Sequence, residues 1–193
     1  MAINFYKGDL PSDINMGELV AIDSETMGLR PQRDRLCLVQ LSSGDGNAHL
    51  VQFKQKEYVA PNLVKLLGDP AVTKIFHYAR FDVAIIKRYL RTQTKSIYCT
   101  KIASKLVRTY TDKHGLKDLC RELLNIDLSK QQQSSDWGTD DLTEEQKLYA
   151  ASDVLYLHKI KDILDSRLKR EGRDKMADNC FQFLQTRAEL DLI

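Results

Sequence analysis

A chain of 193 residues, 42% hydrophobic and 29% charged with only 9 Gly and 4 Pro, has the composition of a globular protein able to bury a core. No apolar run approaches the roughly 18 residues of a membrane span, and the opening MAINFYKGDLPSD lacks the hydrophobic stretch of a signal peptide. A net charge of +2 argues against a strongly basic binder of long duplex, yet leaves room for an enzyme that grips a few nucleotides at one end.

The first half reads as strands. Leu19-Val20-Ala21-Ile22 is a short apolar run ending at Asp23, and Leu36–Leu41 is a second. The turn-rich Ser42–Asn47 links it to His49–Phe53, which predicts a hairpin. A short helix over Asn62–Leu67 stops at Gly68-Asp69-Pro70. The β-branched Val72–His77 predicts a fourth strand, followed by a helix over Ala79–Leu90 and a brief strand at Ser96–Cys99. Apolar residues at helical spacing predict helices over Thr100–Val107 and Leu116–Leu124. Ser129–Asp141 is a polar loop holding Trp137, the only tryptophan. One long helix is expected from Thr143, capped by Gln146, to about Arg170, then a short helix within Arg173–Ile193. The order predicts an α/β fold with a mixed sheet in a single domain, its core about 15–170 and its extension 173–193. The basic groups Arg30, Arg33, Arg35 and Lys101, Lys105, Arg108 read as solvated faces. Cys37, Cys99, Cys120 and Cys180 never form CxxC, so reduced thiols in a cytoplasmic protein are expected rather than a zinc clip or disulfides.

Four carboxylates stand where such a sheet gathers them. Asp23 and Glu25, two residues apart on one strand, share a face. Asp82 falls early in the helix after the fourth strand. Asp153 lies four residues after Tyr149 in the long helix, so both project from one side. A second acidic pair, Glu189 and Asp191, reads as a solvated tail. Strand ends are where ligands bind in open α/β sheets. Carboxylates gathered there repel one another and resist ionising without a cation. Hard oxygen donors with no neighbouring Cys or paired His point to Mg²⁺ or Mn²⁺.

These residues resemble a known family. Asp23-Ser24-Glu25-Thr26, His77-Tyr78-Ala79-Arg80-Phe81-Asp82 and Tyr149-Ala150-Ala151-Ser152-Asp153 are similar to the three exonuclease motifs of the DEDD superfamily, in its tyrosine form. Leu36–Leu41, His114-Gly115-Leu116 and Ser135-Asp136-Trp137 resemble the ribonuclease D branch, over about residues 15–170. His77 replaces the Asn of many members, and Cys99-Thr100 stands where that branch commonly has Asp-Thr. The sequence resembles a stand-alone catalytic domain, lacking the helical domains that follow in larger ribonuclease D proteins.

The resemblance implies a ribonuclease-H-like fold and a two-metal mechanism with Mg²⁺ or Mn²⁺. Asp23 would bridge the ions, Glu25 and Asp153 would hold the ion that activates water, and Asp82 the ion on the leaving 3′-oxygen. Tyr149 would orient the attacking water, since a phenol of ordinary pKa near 10 is a poor base at neutral pH. Thr26-Met27-Gly28-Leu29 would offer backbone N–H groups and the Thr26 hydroxyl to the terminal 3′-OH, with Met27 or Leu29 wedged beside the last base. His77 and Phe81 are candidates for sugar or phosphate contacts, and Lys130, Gln133 and Ser134 for phosphate or base. Trp137 reads as a loop anchor or a base-stacking platform. The expected partner is the 3′ end of single-stranded RNA, or of DNA, with no membrane. The Phe181, Phe183 and Leu184 tail is a candidate surface for a second copy. Two rivals are a nucleic-acid-binding domain that has lost catalysis and a hydrolase of small phosphoesters. Retention of all four carboxylates and Tyr149 disfavours the first.

Overall fold

The computed structural model describes residues 1–129 and 131–193. Its strands are β1 (Ile3–Lys7), β2 (Leu19–Thr26), β3 (Leu36–Ser42), β4 (Ala48–Gln52), β5 (Thr73–Phe76) and β6 (Ile97–Cys99). They form one sheet in the order β1-β4-β3-β2-β5-β6. The meander β2-β3-β4 is antiparallel, whereas β5, β6 and β1 join parallel to their neighbours. This is the expected mixed sheet, with one strand more. No strand was expected before Leu19, because β1 pairs with a partner over forty residues away and carries little local signal. Tyr6 fastens it, stacking on His49 of β4.

The helices are α1 (Pro61–Gly68), α2 (Ala79–Leu90), α3 (Thr100–Val107), α4 (Leu116–Leu119, continuing as a π-helical turn over Cys120–Leu124), α5 (Glu144–Leu155), α6 (Leu157–Arg170) and α7 (Asp174–Leu190). The long helix expected over Thr143–Arg170 is thus two, parted at Tyr156 (φ −106°, ψ −7°). Its start is as read: the Thr143 side chain accepts from the Gln146 N–H, and the Gln146 side chain accepts from the Thr143 N–H. The α5 helix lies across β2, β3 and β4.

The C-terminal segment departs most from expectation. It is a 17-residue helix rather than a short one, and Ala177, Phe181, Leu184 and Ala188 are buried in the main core. Phe181 packs on Tyr98 at 4.7 Å between ring centres. Phe181 and Leu184 are therefore committed within the chain, and only Phe183 of that trio is exposed. The Glu189/Asp191 pair is not simply solvated either. Asp191 takes a bidentate grip from Arg80 at the start of α2 and a salt bridge from Arg187, while Glu189 meets Lys87.

Candidate active site

Strand alternation builds the site. Asp23 and Glu25 project from one face of β2, toward α5, and Ser24 from the other. A register shift between Glu25 and Thr26 breaks the regular ladder with β3, which resumes at Thr26 opposite Leu36. From α5, Tyr149 and Asp153 come down one turn apart. Carboxylate oxygens of Asp23, Glu25 and Asp153 lie within 4.8 Å of one another. Asp82 stands outside that trio. It is buried on α2, and its Oδ1 accepts a 2.6 Å hydrogen bond from Ser24 Oγ.

The electrostatics are those of charges lacking a counter-ion. Burial pushes Asp23 up to about 7, with a backbone hydrogen bond at Ser24 opposing it. Burial and then repulsion from Asp23, Asp153 and Asp82 raise Glu25 well above the usual carboxylate range. Asp82 is raised by burial and Asp23, with Ser24 working against this. Asp153 is raised by burial and Asp23, and the facing Tyr149 hydroxyl offsets part of it. Tyr149 is itself pushed up by burial and then by Asp153, Glu25 and Asp23, so its phenol stays protonated and can donate.

Asp23, Glu25 and Asp153, but not the buried Asp82, open into a cleft of about 680 Å³ lined by Thr26, Met27, Leu29, His77, Phe81, Gln133, Ser134, Trp137 and Tyr149. Lys130 lies outside the described residues. Several of these side chains have defined tasks. Thr26 donates its hydroxyl to Gly28 O at 2.5 Å, leaving its lone pairs for a donor in the cleft. The Met27 N–H donates to Arg35 O, so it is not available to a substrate as expected from the sequence. Met27 and Leu29 are 49% and 87% exposed, which removes core packing as the account of them. Trp137 is 3% exposed and sits at 6.1 Å from the Tyr149 ring in a small cluster with Leu38, Leu50, Leu142 and Ala150. That burial makes it an anchor under Tyr149 rather than a platform for a base. The loop carrying it is pinned by Gln146 to Ser135 and Asp136, by Arg35 to Gly138 and by Gln52 to Thr139.

His77 is neutral. Burial, and then Lys101, lower it to about 3, and its Nδ1 lies 2.9 Å from Thr100 Oγ1. It supplies no charge to a phosphate. Among the described residues the cations in the cleft lining are Lys101 and Lys117, and the exposed ring of Tyr78 lies beside them with Lys101 Nζ over it at 4.2 Å. Sequence reading missed these three. Lys101 was visible only as one member of a basic group, which the fold splits: Arg108 is wholly buried against Glu122 and Ser104. Arg33 and Arg35 likewise bind Asp34 and the Gly138 and Phe53 carbonyls. A neighbouring apolar hollow of about 510 Å³ between α3 and α7 has no carboxylate in its lining.

Comparison with known proteins identifies the family. Residues 8–169 match the model of a family described as 3′-5′ exonuclease. The chain belongs to the 3′-5′ exonuclease family. It is 35% identical over 154 residues to a ribonuclease D of Gluconacetobacter diazotrophicus, a match covering 80% of this chain and 39% of the relative. The chain thus spans about two-fifths of the length of the first curated relatives it matches. Brucella melitensis NrnC, solved with bound Mg²⁺, is 54% identical with a TM-score of 0.95, covering 100% of this chain and 94% of that one. The same Brucella protein bound to pGG superposes with a TM-score of 0.96 at 55% identity, with the same coverage. The α/β fold expected from the sequence is therefore that of the exonuclease family, whose activity depends on divalent metal.

Proposed function

We propose that this protein is a divalent-metal-dependent 3′→5′ exonuclease that hydrolyses single strands from a free 3′-hydroxyl and releases nucleoside 5′-monophosphates. The observation that carries this reading is the convergence of Asp23, Glu25 and Asp153 within 4.8 Å beside Tyr149, in a chain of the exonuclease family. Hard oxygen donors suit Mg²⁺ or Mn²⁺, and the upward pKa shifts of these carboxylates are what a cation relieves. Two ions would be held by Asp23, Glu25, Asp153 and Asp82, with Glu25 and Asp153 on the side of the attacking water and Asp82 on the side of the leaving oxygen. They would supply positive charge that neutralises the cluster and stabilises the displacement.

The protein's own groups do the rest. Tyr149, protonated and facing Asp153, orients the attacking water through its hydroxyl. Thr26 Oγ1, already donating to Gly28 O, accepts from the terminal 3′-OH. Met27 and Leu29, exposed at the rim, flank the last base. Lys101 and Lys117, with Gln133 and Ser134, are assigned to phosphate and base. Attack on the last phosphodiester expels the 3′-oxygen of the shortened strand, so the phosphate leaves on the released nucleotide. We read the 193 residues as one catalytic domain, since α7 packs into the same core. A cytoplasmic setting fits the four free cysteines; among the described residues no helix is long and apolar enough to cross a membrane.

RNA is assigned as substrate from the ribonuclease D relatives, with pGG carried over from the NrnC complex as a second ligand. A time course on 5′-labelled RNA and DNA of matched sequence, with 3′-OH or 3′-phosphate ends, and on pGG, in Mg²⁺ or Mn²⁺, tests the reading. Single-nucleotide shortening that needs both a free 3′-OH and metal supports it. Cleavage inside a circular strand would overturn it.

A further inference from the structure

Gln40 is an odd residue for its position. It lies mid-strand in β3, between β2 and β4, opposite Asp23 on one side and Leu50 on the other. It is 0% exposed. Its neighbours on that face of the sheet, Leu38 and Leu50, are buried with Trp137, Leu142 and Ala150 in the apolar cluster beneath α5. Its Oε1 has no hydrogen-bond partner. An unsatisfied buried acceptor is destabilising, and an apolar residue of similar volume in its place would remove that cost. Burial alone therefore does not account for an amide here, and a buried orphan of this kind calls for a specific explanation.

The other end of the amide supplies one. Gln40 Nε2 points at Asp23 Oδ2, 3.4 Å away, which is its only polar contact among the described residues. That is longer than the common N–H···O distance of about 2.9 Å, but the partner is the carboxylate at the centre of the acidic cluster. The amide's orientation follows from this partner, because turning it over would bring Oε1 against a carboxylate oxygen. An Asp carboxylate turns freely about its last torsion, which has broad, roughly two-fold preferences. Among the described residues Asp23 has no other side-chain donor: Ser24 points to the opposite face and is committed to Asp82.

We propose that Gln40 is a positioning residue for Asp23, holding one carboxylate oxygen so that the other is presented toward Glu25 and Asp153. The inference rests on the reading of Asp23 as a metal ligand. Partners behind a ligating carboxylate fix its rotation, and their loss typically weakens metal binding about 10–100-fold.

The test uses the full chain and Mn²⁺ as the probe, with bound and free ion distinguished by electron paramagnetic resonance. Gln40→Met removes the amide at nearly constant length, and Gln40→Leu is the second variant should Met pack poorly. Asp153→Asn serves as the control for the site itself. In chelator, the Gln40 variants are expected to melt near the wild-type temperature, since loss of the orphaned acceptor offsets loss of the long hydrogen bond to Asp23. Their Mn²⁺ affinity is expected to fall about 10–100-fold, and their activity deficit to shrink as Mn²⁺ is raised. Wild-type Mn²⁺ affinity in a folded Gln40→Met or Gln40→Leu protein, with Asp153→Asn impaired, overturns the role of Gln40 alone. Equal binding by wild type and Asp153→Asn overturns the metal site, and this inference with it.

Discussion

Ser24 and Asp82 are joined by a 2.6 Å hydrogen bond from the Ser24 hydroxyl to Asp82 Oδ1, both side chains buried. The residue between the two acidic positions of the first motif thus ties the β2 strand end to the carboxylate of α2. Ser24→Ala leaves a buried carboxyl group without its donor. Denaturant melts are expected to show a loss of about 1–3 kcal/mol, the usual penalty for such a group. An unchanged midpoint would mean that water replaces the hydroxyl.

Asp153→Asn removes one of the three converging carboxylates. We expect kcat to fall by about 10³-fold or more, equivalent to about 4 kcal/mol of transition-state stabilisation. The melting temperature in chelator should hold or rise, because a repulsive charge is gone. Retention of wild-type turnover at saturating metal is the outcome that removes Asp153 from the site.

Tyr149→Phe deletes only the hydroxyl, and the ring keeps its packing on Trp137. Loss of a single positioned donor typically costs about 10²–10³-fold in rate, so kcat should fall by that order while KM stays put. Single-turnover kinetics separate the alternatives. Weak binding with normal chemistry would make Tyr149 a substrate contact.

Lys101 has no carboxylate partner among the described residues and rests on the Tyr78 ring at the mouth of the cleft. Lys101→Ala is expected to raise KM, leave kcat largely intact and flatten the log–log salt dependence of binding by about one unit. A fluorescence titration of a non-hydrolysed strand at several salt concentrations measures it.

The carboxylate cluster links metal, protons and stability. Asp23 has a folded pKa of about 7, above its ordinary 3.8, so its contribution favours the fold below about 3.8 and is lost as pH rises through about 7. Glu25, Asp82 and Asp153 shift the same way. His77, lowered to about 3, works in the opposite sense, but equally with and without metal. The melting-temperature gain from Mg²⁺ over chelator should therefore be larger at pH 8 than at pH 5, where ions must displace protons. An equal gain at both pH values would place the ion away from these groups.

Much of this was legible in the sequence where the signal is local. The LVAI run fixes where Asp23 and Glu25 emerge, the Thr143/Gln146 box marks the start of the helix bearing Tyr149 and Asp153, and the three motifs carry the family. Non-local signals were not legible. The β1 strand exists through its pairing with β4, and the fates of Glu189 and Asp191 depend on Lys87 and Arg80, each more than a hundred residues away. Charge runs misled for the same reason: Lys101 faces the cleft while Arg108, seven residues on, is interior.

The break at Tyr156 separates two responsibilities that a continuous helix would have fused. In α5, adding one residue between Tyr149 and Asp153 would swing the carboxylate about 100° around the axis and out of the cluster. Beyond Tyr156 that constraint no longer applies, since α6 starts afresh with its own buried stripe of Leu157, Ile160, Leu164 and Leu168. An insertion within α6 would instead turn that stripe away from α3, β2 and β5, and so act on the packing of the core rather than on the spacing of Tyr149 and Asp153. A designer wishing to attach a tether, a label or a second module would find room in the turn after α6, around the exposed Glu171-Gly172 that precedes α7.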